Sequence, residues 1–200
     1  LIKLAGSRSG MTGNPLFSLG GSPFSLARAG AILCSALCLA SWMAGCSTTK
    51  DTSTSKISTA DEVVVDKSDR RLRLMKGGQV MREYRVALGK DPVGPKLREG
   101  DQRTPEGDYV LDWRNHRSNY YKALHVSYPN PDDRLRAEMA GYKPGGMIMI
   151  HGLPNYIRSP AVLAEYDRLD WTNGCIAVNN KEMDEIWQAV KDGTRIRIVP

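Results

Sequence analysis

After residue 46, this 200-residue chain contains a single cysteine. Four cysteines are present, and three of them, Cys34, Cys38 and Cys46, lie within residues 1–46. Cys175 therefore has no downstream partner for an internal disulfide and no second thiol with which to build a metal site. A reactive role is one reason for such a thiol to be present, and a buried structural cysteine is the alternative.

Familiar metal and nucleotide motifs are also missing. The three histidines form no HExxH motif and no compact cluster, and the sequence contains no CxxC pair. No glycine-rich turn is followed by Lys and then Ser or Thr, as a phosphate-binding loop requires. We therefore expect neither a metal nor another cofactor.

The basic charge is not concentrated in one part of the chain. Three of the 28 basic residues lie within residues 1–46, which hold no acid, so the remainder has 25 basic against 22 acidic residues. These charges alternate in sign along the sequence and form no basic stripe. This argues against nucleic acid as a partner.

The apolar run Ala29–Met43 is too short to span a bilayer, which needs about 20 residues, and is typical of a signal peptide. It follows Arg28 and ends in Met43-Ala44-Gly45-Cys46. That ending resembles a lipobox, so we expect residues 1–46 to be a signal peptide, with Cys46 as the lipidated residue and Met11 as a candidate start. The alternative is an ordinary signal peptide with an incidental cysteine.

A lipid anchor would hold the protein on the periplasmic side of the cell envelope, and Ser47 favours the outer over the inner membrane. Residues 47–60 are small and polar, which predicts a flexible tether. The catalytic domain is then expected at 61–200. In such an oxidising compartment a lone thiol such as Cys175 is exposed to oxidation.

Short strands dominate the prediction for the domain. Val63–Val65 is apolar, Leu72 and Leu74 alternate with arginines, and Gly77-Gly78 permits a tight hairpin. Further short strands are predicted at 80–88, 109–111, 124–128, 147–150, 175–178 and 195–199. With glycine and proline between them, they predict a mainly β fold, a β-sandwich with a few short helices.

The clearest helix is predicted at 181–191. Met183, Ile186 and Val190 share one apolar face, Asn179 and Glu182 match a capping box, and Gly193 is a stop signal. Helices at 132–140 and 160–168 are weaker predictions.

Cys175 follows Gly174 and begins an apolar segment, Ile176–Val178. The glycine would let a substrate carbonyl approach the backbone, whose N–H groups could form an oxyanion hole. His151 ends a predicted strand and precedes Gly152, which suits a general base, although a surface histidine is the plain alternative. His125 is a candidate for lining a cleft.

Several motifs together resemble the catalytic domain of the L,D-transpeptidase (YkuD type) family. They are His151-Gly152, Thr172-Asn173-Gly174-Cys175-Ile176, Thr104-Pro105-Glu106-Gly107-Asp108-Tyr109, Tyr128-Pro129-Asn130 and Pro144-Gly145-Gly146. The resemblance covers residues 62–199.

This resemblance implies a β-rich sandwich that acts on peptidoglycan stem peptides. Cys175 would be the nucleophile and His151 its base, with oxyanion N–H groups from Gly174 and Cys175. A stem carbonyl would form a thioester, and an amine of another stem or of a wall-attached lipoprotein would accept the acyl group. Thr172, Asn173 and Gly152 are the expected supporting residues, and Tyr128 and His125 the expected substrate-binding residues.

The sequence departs from the family pattern at two positions. Asn173 replaces a common second histidine and Ala177 replaces a common Arg or Asn, while the spacer after His151 is longer than usual. These changes leave the acyl acceptor open. An L,D-carboxypeptidase, an amidase that releases wall-bound protein, and an inactive wall-binding lipoprotein are the alternatives.

Overall fold

A computed structural model describes residues 57–200. The predicted signal peptide with Met11 and Cys46, and the predicted tether up to residue 56, lie outside this range. Among the described residues, no helix has the length and apolar character needed to cross a bilayer.

Eight strands form one sheet in the order β3-β2-β1-β8-β4-β5-β6-β7. Together with the three short helices found within residues 57–200, they confirm the prediction of a mainly β fold. The strands are β1 (Glu62–Asp66), β2 (Arg71–Lys76), β3 (Gln79–Arg85), β4 (Gly107–Ser118), β5 (Tyr121–Val126), β6 (Met149–His151), β7 (Ile176–Ala177) and β8 (Thr194–Val199).

In the middle of the sheet, the first strand of the domain pairs with the last one. β1 pairs in parallel with β8, and β8 pairs antiparallel with β4. In β1, β2 and β8 buried residues alternate with more exposed ones, because successive side chains of a strand point to opposite faces. Gly77 and Gly78 both adopt positive φ in the β2–β3 turn, as the hairpin prediction requires.

The sheet curls until its two edges meet. β3 and β7 are the edge strands, yet the chain just after β3 bridges to the far edge, Ala87 to Ala177 and Gly89 to Thr172. The N–H of Ala177 lies 2.8 Å from the carbonyl oxygen of Ala87, and the reverse bond is 2.9 Å. These bridges between residues 87–89 and residues 172–177, called here the seam, fix the chain on both sides of Cys175.

The three helices are α1 (Pro131–Met139), α2 (Pro160–Tyr166) and α3 (Asn180–Ala189). All three were predicted to within about two residues at each end. α3 has the expected capping box between Asn179 and Glu182 and buries Met183, Ile186 and Ala189. It ends at Ala189, four residues before Gly193.

The folded domain extends into the predicted tether. Ala60 is buried, and its N–H donates to the carbonyl of Ala189 at the end of α3. Ile57 packs on the core as well. The domain therefore includes at least part of the segment 57–60.

The β4–β5 hairpin is longer than the sequence predicted. β4 continues through residues 112–118, which are polar apart from Trp113, and a tight turn at Asn119 and Tyr120 leads into β5. Its register with β5 shifts twice, and both shifts lie in this polar half. The hairpin brings Tyr120 beside β6, where the functional site lies.

Candidate active site

A buried threonine shapes the turn that presents Cys175. The hydroxyl of Thr172 donates to the carbonyl oxygen of Cys175 at 2.7 Å and accepts the N–H of Gly174 at 3.1 Å. The N–H of Thr172 itself donates to Leu88 across the seam. These bonds hold the turn 172–175 in one conformation. They also occupy the N–H of Gly174, which the sequence had suggested for an oxyanion hole and which is not free in this arrangement.

Gly174 is required by both conformation and space. Its φ of +125° is rarely adopted by other residues, and an added Cβ would lie 2.6 Å from the carbonyl oxygen of Arg103. The backbone of residue 103 therefore packs directly against the turn behind the nucleophile.

Cys175 is half-buried and is a free thiol. Its Sγ lies 3.6 Å from the carbonyl oxygen of Met147. Burial raises the pKa of the Cys175 thiol, and the main chain of Met149 and the ammonium group of Lys96 offset this only in part. The resting sulfur is therefore mainly a thiol at neutral pH.

His151 is buried and neutral. Burial lowers the pKa of His151 to about 4, against the opposing effect of the hydrogen bond to Gly152. That bond joins Nδ1 to the carbonyl oxygen of Gly152 at 2.7 Å. Because a carbonyl oxygen can only accept, Nδ1 carries the proton and the lone pair is on Nε2. The ring is therefore set to receive a proton at Nε2.

His151 ends β6, Cys175 directly precedes the neighbouring strand β7, and the two side chains face the same side. β6 and β7 are parallel, with Ile150 opposite Ile176. Both isoleucines are fully buried in the core. Side chains alternate along a strand, so His151 and Cys175 both point away from that core, and both line one cavity.

This cavity, called here the aromatic cavity, measures about 560 Å³. Its aromatic lining consists of Tyr120, Tyr156, Tyr166 and Trp171. The ring centroid of His151 lies 4.7 Å from that of Tyr120 and 5.6 Å from that of Trp171. The indole N–H of Trp171 is buried and has no hydrogen-bond partner within residues 57–200.

Gly152 orients the ring of His151 through a main-chain hydrogen bond. Its N–H lies 3.0 Å from the carbonyl oxygen of Tyr120, while its own carbonyl binds Nδ1 of His151. A Cβ at this position would lie 2.6 Å from the side-chain oxygen of Asn180, which accepts the N–H of Leu153. Gly152 thus ties β6 to the β4–β5 turn.

Asn173 is exposed beside the thiol and lines the aromatic cavity together with a second, more polar one. It is therefore the residue at which the two cavities meet.

Tyr128 lies in the core, which corrects its expected placement. Its side chain is 3% exposed, its hydroxyl donates to the carbonyl of Pro144, and its ring packs edge-on against Tyr109. Tyr128 does not line the aromatic cavity. This packing role removes it from the candidate substrate-binding residues.

His125 lies outside the aromatic cavity, although it shares a face of β5 with Ala123, which lines it. Its ring stacks on Trp113 at a centroid distance of 4.8 Å, and Nδ1 lies 2.7 Å from a carboxylate oxygen of Asp112. His125 is thus a neighbour of the cavity.

Two residues around His151 and Cys175 were missed from the sequence. Tyr120, in a polar turn, becomes a neighbour of His151 only through the pairing of β5 with β6. Lys96 lies far from Cys175 in the chain and had no local pattern to mark it. In the described part of the chain, no group of three or more His, Cys, Asp or Glu side chains is placed to hold a metal ion.

Comparisons with known proteins agree with this geometry. The model of the L,D-transpeptidase catalytic domain (YkuD) matches residues 60–198. The putative L,D-transpeptidase YafK of Escherichia coli K12 is 33% identical over 114 residues, 56% of this chain and 38% of that protein. The putative L,D-transpeptidase YqjB of Bacillus subtilis 168 is 28% identical over 137 residues, 68% of this chain and 69% of that protein.

A solved structure is also similar, that of the helical cell shape determining protein Pgp2 from Campylobacter jejuni. It matches with a TM-score of 0.53 and 28% identity, over 68% of this chain and 46% of that chain. The chain thus spans about two fifths of the length of YafK and about half that of the Pgp2 chain. Because the family model covers most of its length, this chain belongs to the L,D-transpeptidase catalytic domain family.

Proposed function

We propose that this protein is a cysteine acyltransferase that acts on peptidoglycan stem peptides. The observation that carries the proposal is the pair of Cys175 and a neutral, buried His151 in one cavity of an L,D-transpeptidase domain. Cys175 supplies the nucleophile and Nε2 of His151 the base.

Proton transfer accompanies the attack in this mechanism. A neutral thiol beside a neutral imidazole is the resting state, since burial opposes the charged form of both groups. As Sγ bonds to the stem carbonyl carbon, Nε2 takes the thiol proton. His151 then gives that proton to the nitrogen of the departing amine, the C–N bond breaks, and a thioester remains on Cys175.

Oxyanion stabilisation falls to groups other than the N–H of Gly174, which Thr172 already accepts. The N–H of Cys175 is the candidate nearest to the reacting carbonyl. An acceptor amine next attacks the thioester carbonyl carbon and loses a proton to Nε2 of His151. The C–S bond breaks as the new C–N bond forms, and His151 returns the proton to Sγ, which regenerates the thiol.

Transfer requires an amine to reach the thioester before water does. Positioned reactants can attain effective molarities of about 10⁵ M or more, well above the concentration of water. The aromatic rings of Tyr120, Tyr156, Tyr166 and Trp171 supply apolar walls that could position the peptide. This favours transfer to an amine of another stem or of a wall-attached lipoprotein.

Hydrolysis to a shortened stem, by an L,D-carboxypeptidase or amidase, is the second candidate. It is favoured by one observation: α2, in the segment 153–170 beside the cavity, buries none of its residues. Because α2 is packed so loosely against the rest of the domain, water would have access to the thioester.

A decisive assay incubates the purified protein with tetrapeptide muropeptides and a free D-amino acid. We expect exchange of the terminal residue or 3–3 cross-linked dimers, and an acyl adduct on intact protein mass. Tripeptide as the sole product at every amine concentration would assign the hydrolase. The Cys175→Ala variant should form neither adduct nor product, and product from it would contradict the mechanism.

Attachment to the envelope is a separate part of the proposal. Lipidation of Cys46 would place the domain on the periplasmic side, with the outer membrane favoured. The similarity to Pgp2 further suggests a role in cell shape. Mass spectrometry of the mature N-terminus should find a lipidated Cys46, and an N-terminus at Ser47 or an uncleaved start upstream would refute the anchor.

A further inference from the structure

A second cavity of about 450 Å³ shares only Asn173 with the aromatic cavity. We call it the polar cavity. Its lining consists of Lys96, Glu99, Gly100, Gln102, Gly145, Gly146 and Asn173. It contains no aromatic side chain, so the two cavities that meet beside Cys175 offer different chemistry.

Lys96 is the buried charge of the polar cavity. Its side chain is 4% exposed, and Nζ lies 2.7 Å from Oδ1 of Asp101 and 3.0 Å from the carbonyl oxygen of Arg98. An ammonium group has three N–H donors. Within the described part of the chain no third acceptor is bonded to it, so one donor is available to a ligand.

The polar cavity that Lys96 lines reaches Asn173, two residues before Cys175. The charge of Lys96 also acts to lower the pKa of the Cys175 thiol against the larger effect of burial. A ligand group bound to Lys96 would therefore lie near the reacting bond.

The nearby carboxylates of Asp101 and Glu99 leave the ammonium group of Lys96 able to bind an anion. Asp101 accepts the main-chain N–H groups of Leu97, Arg98 and Arg103 as well as Lys96, so its charge is compensated within the loop. Glu99 is exposed, where water and salt screen its charge. Lys96 thus shares the carboxylate of Asp101 with three main-chain N–H groups.

A peptide whose scissile carbonyl lies at Cys175 extends in two directions. The acyl part of the peptide, which stays on Cys175, and the leaving part each need a cavity. When the leaving residue is a terminal amino acid, its carboxylate stands on the carbon next to the scissile nitrogen. An anion at that distance suits a buried cation beside the thiol.

We propose that the polar cavity binds the α-carboxylate of the terminal D-amino acid of the stem, through Lys96. This rests on the proposed function and specifies its substrate: stems that end in a free carboxylate. Stems joined at this position to a lysine side chain of a protein lack an anion next to the scissile nitrogen and are poorer substrates. The carboxylate itself is unchanged in the reaction and leaves with the released amino acid.

The first test needs only the wild-type protein. Two tetrapeptide stems are compared, one ending in D-alanine and one in D-alaninamide. A charge-assisted hydrogen bond predicts a kcat/KM about 10- to 100-fold higher for the free acid. Equal values for the two peptides would overturn the inference and leave the proposed function intact.

Variants assign the preference to Lys96. In Lys96→Met the ratio of the two kcat/KM values should fall towards one, and Lys96→Arg should restore part of it. Lys143→Met is the matched control, because it removes an exposed positive charge from the neighbouring segment that accepts the N–H of Glu99. It should keep the wild-type ratio, and a ratio unchanged in Lys96→Met would contradict the assignment.

A binding measurement separates this inference from turnover. Ligand-observed NMR compares D-alanine with D-alaninamide on the Cys175→Ala protein. Tighter binding of D-alanine, lost in the double variant with Lys96→Met, supports the site even if neither peptide is processed. Equal binding of the two ligands would overturn it. Thermal unfolding of each variant shows whether the loop 96–103 has kept its fold.

Discussion

The turn 172–175 and the insert 153–170 border the same cavity and are built in opposite ways. Thr172 and Gly174 are buried, and hydrogen bonds fix the turn internally and across the seam. In the insert, α2 buries no residue, and Tyr156 and Leu169 are 70% and 55% exposed. Cys175 is thus held in a hydrogen-bonded turn, while one wall of the aromatic cavity has little packing of its own.

The insert is nevertheless fastened at both ends. The side chain of Asn155 accepts the N–H of Tyr121 and donates to the carbonyl of Ser118. At the other end Asp170 pairs with Arg70 and accepts the N–H of Leu88. The middle can therefore adapt to a ligand without moving the ends.

The largest effect is expected for His151, which lines the aromatic cavity with Cys175. His151→Gln removes the base and should lower kcat/KM by about 10²- to 10⁴-fold, the usual contribution of general acid–base catalysis. His116→Gln is the matched control, since His116 is exposed on β4 against Trp187 and should be nearly silent. Steady-state kinetics on a tetrapeptide stem would measure both. Near-normal turnover in His151→Gln would assign the chemistry to another group.

The burial of His151 also predicts a pH-dependent stability. Its pKa is lowered to about 4 in the folded protein, so between pH 6.5 and 4 the unfolded chain binds a proton that the folded one does not. The free energy of unfolding should therefore fall as the pH falls through this window, by about 3 kcal/mol from this group. Denaturant unfolding at pH 7 and pH 4 measures it.

His151→Gln serves again as the comparison for that measurement. It should lose less stability than the wild type between pH 7 and pH 4, because the titrating group is gone. An identical pH dependence in both proteins would show that other residues cause it.

A smaller effect tests the internal bonds of the turn. Thr172→Val leaves the carbonyl of Cys175 and the N–H of Gly174 without their partner, which should lower the free energy of unfolding by about 1–3 kcal/mol. Thr172→Ser keeps the hydroxyl and should recover most of that loss. Chemical denaturation compares the two variants, and equal stabilities would mean that the hydroxyl does not hold the turn.

The smallest effect is expected in the insert. Val162, on α2, is 41% exposed, so Val162→Ser should change the free energy of unfolding by about 0.5 kcal/mol or less. Val178→Ser, at a 1% exposed position after β7, should cost about 3 kcal/mol. Similar losses in both variants would show that α2 is packed as firmly as the seam.

Local patterns predicted much of this structure. The capping box of α3, the glycines of the β2–β3 turn and the mainly β class follow from residues close in sequence. The motifs around His151 and Cys175 likewise indicated the two residues that the fold places in one cavity.

Long-range pairing explains what was missed. β4 is polar beyond residue 111 apart from Trp113, so its pattern gave no strand signal, and only its partner β5 makes it one. Tyr120 and Lys96 come near the two candidate catalytic residues through contacts between distant segments. Tyr128 shows the reverse error: a residue in a family-like motif was expected at the substrate and is packed in the core.

The seam also determines when the thiol becomes competent during folding. Ala87 and Ala177 are brought together only after most of the chain between them has collapsed, because contacts between distant residues carry a high entropic cost and form slowly. A chain still emerging or only partly folded has no turn 172–175 held against residues 87–89. On the proposed mechanism, His151 and Cys175 therefore come together with the closure of the sheet, and we expect an incompletely folded chain to be inactive.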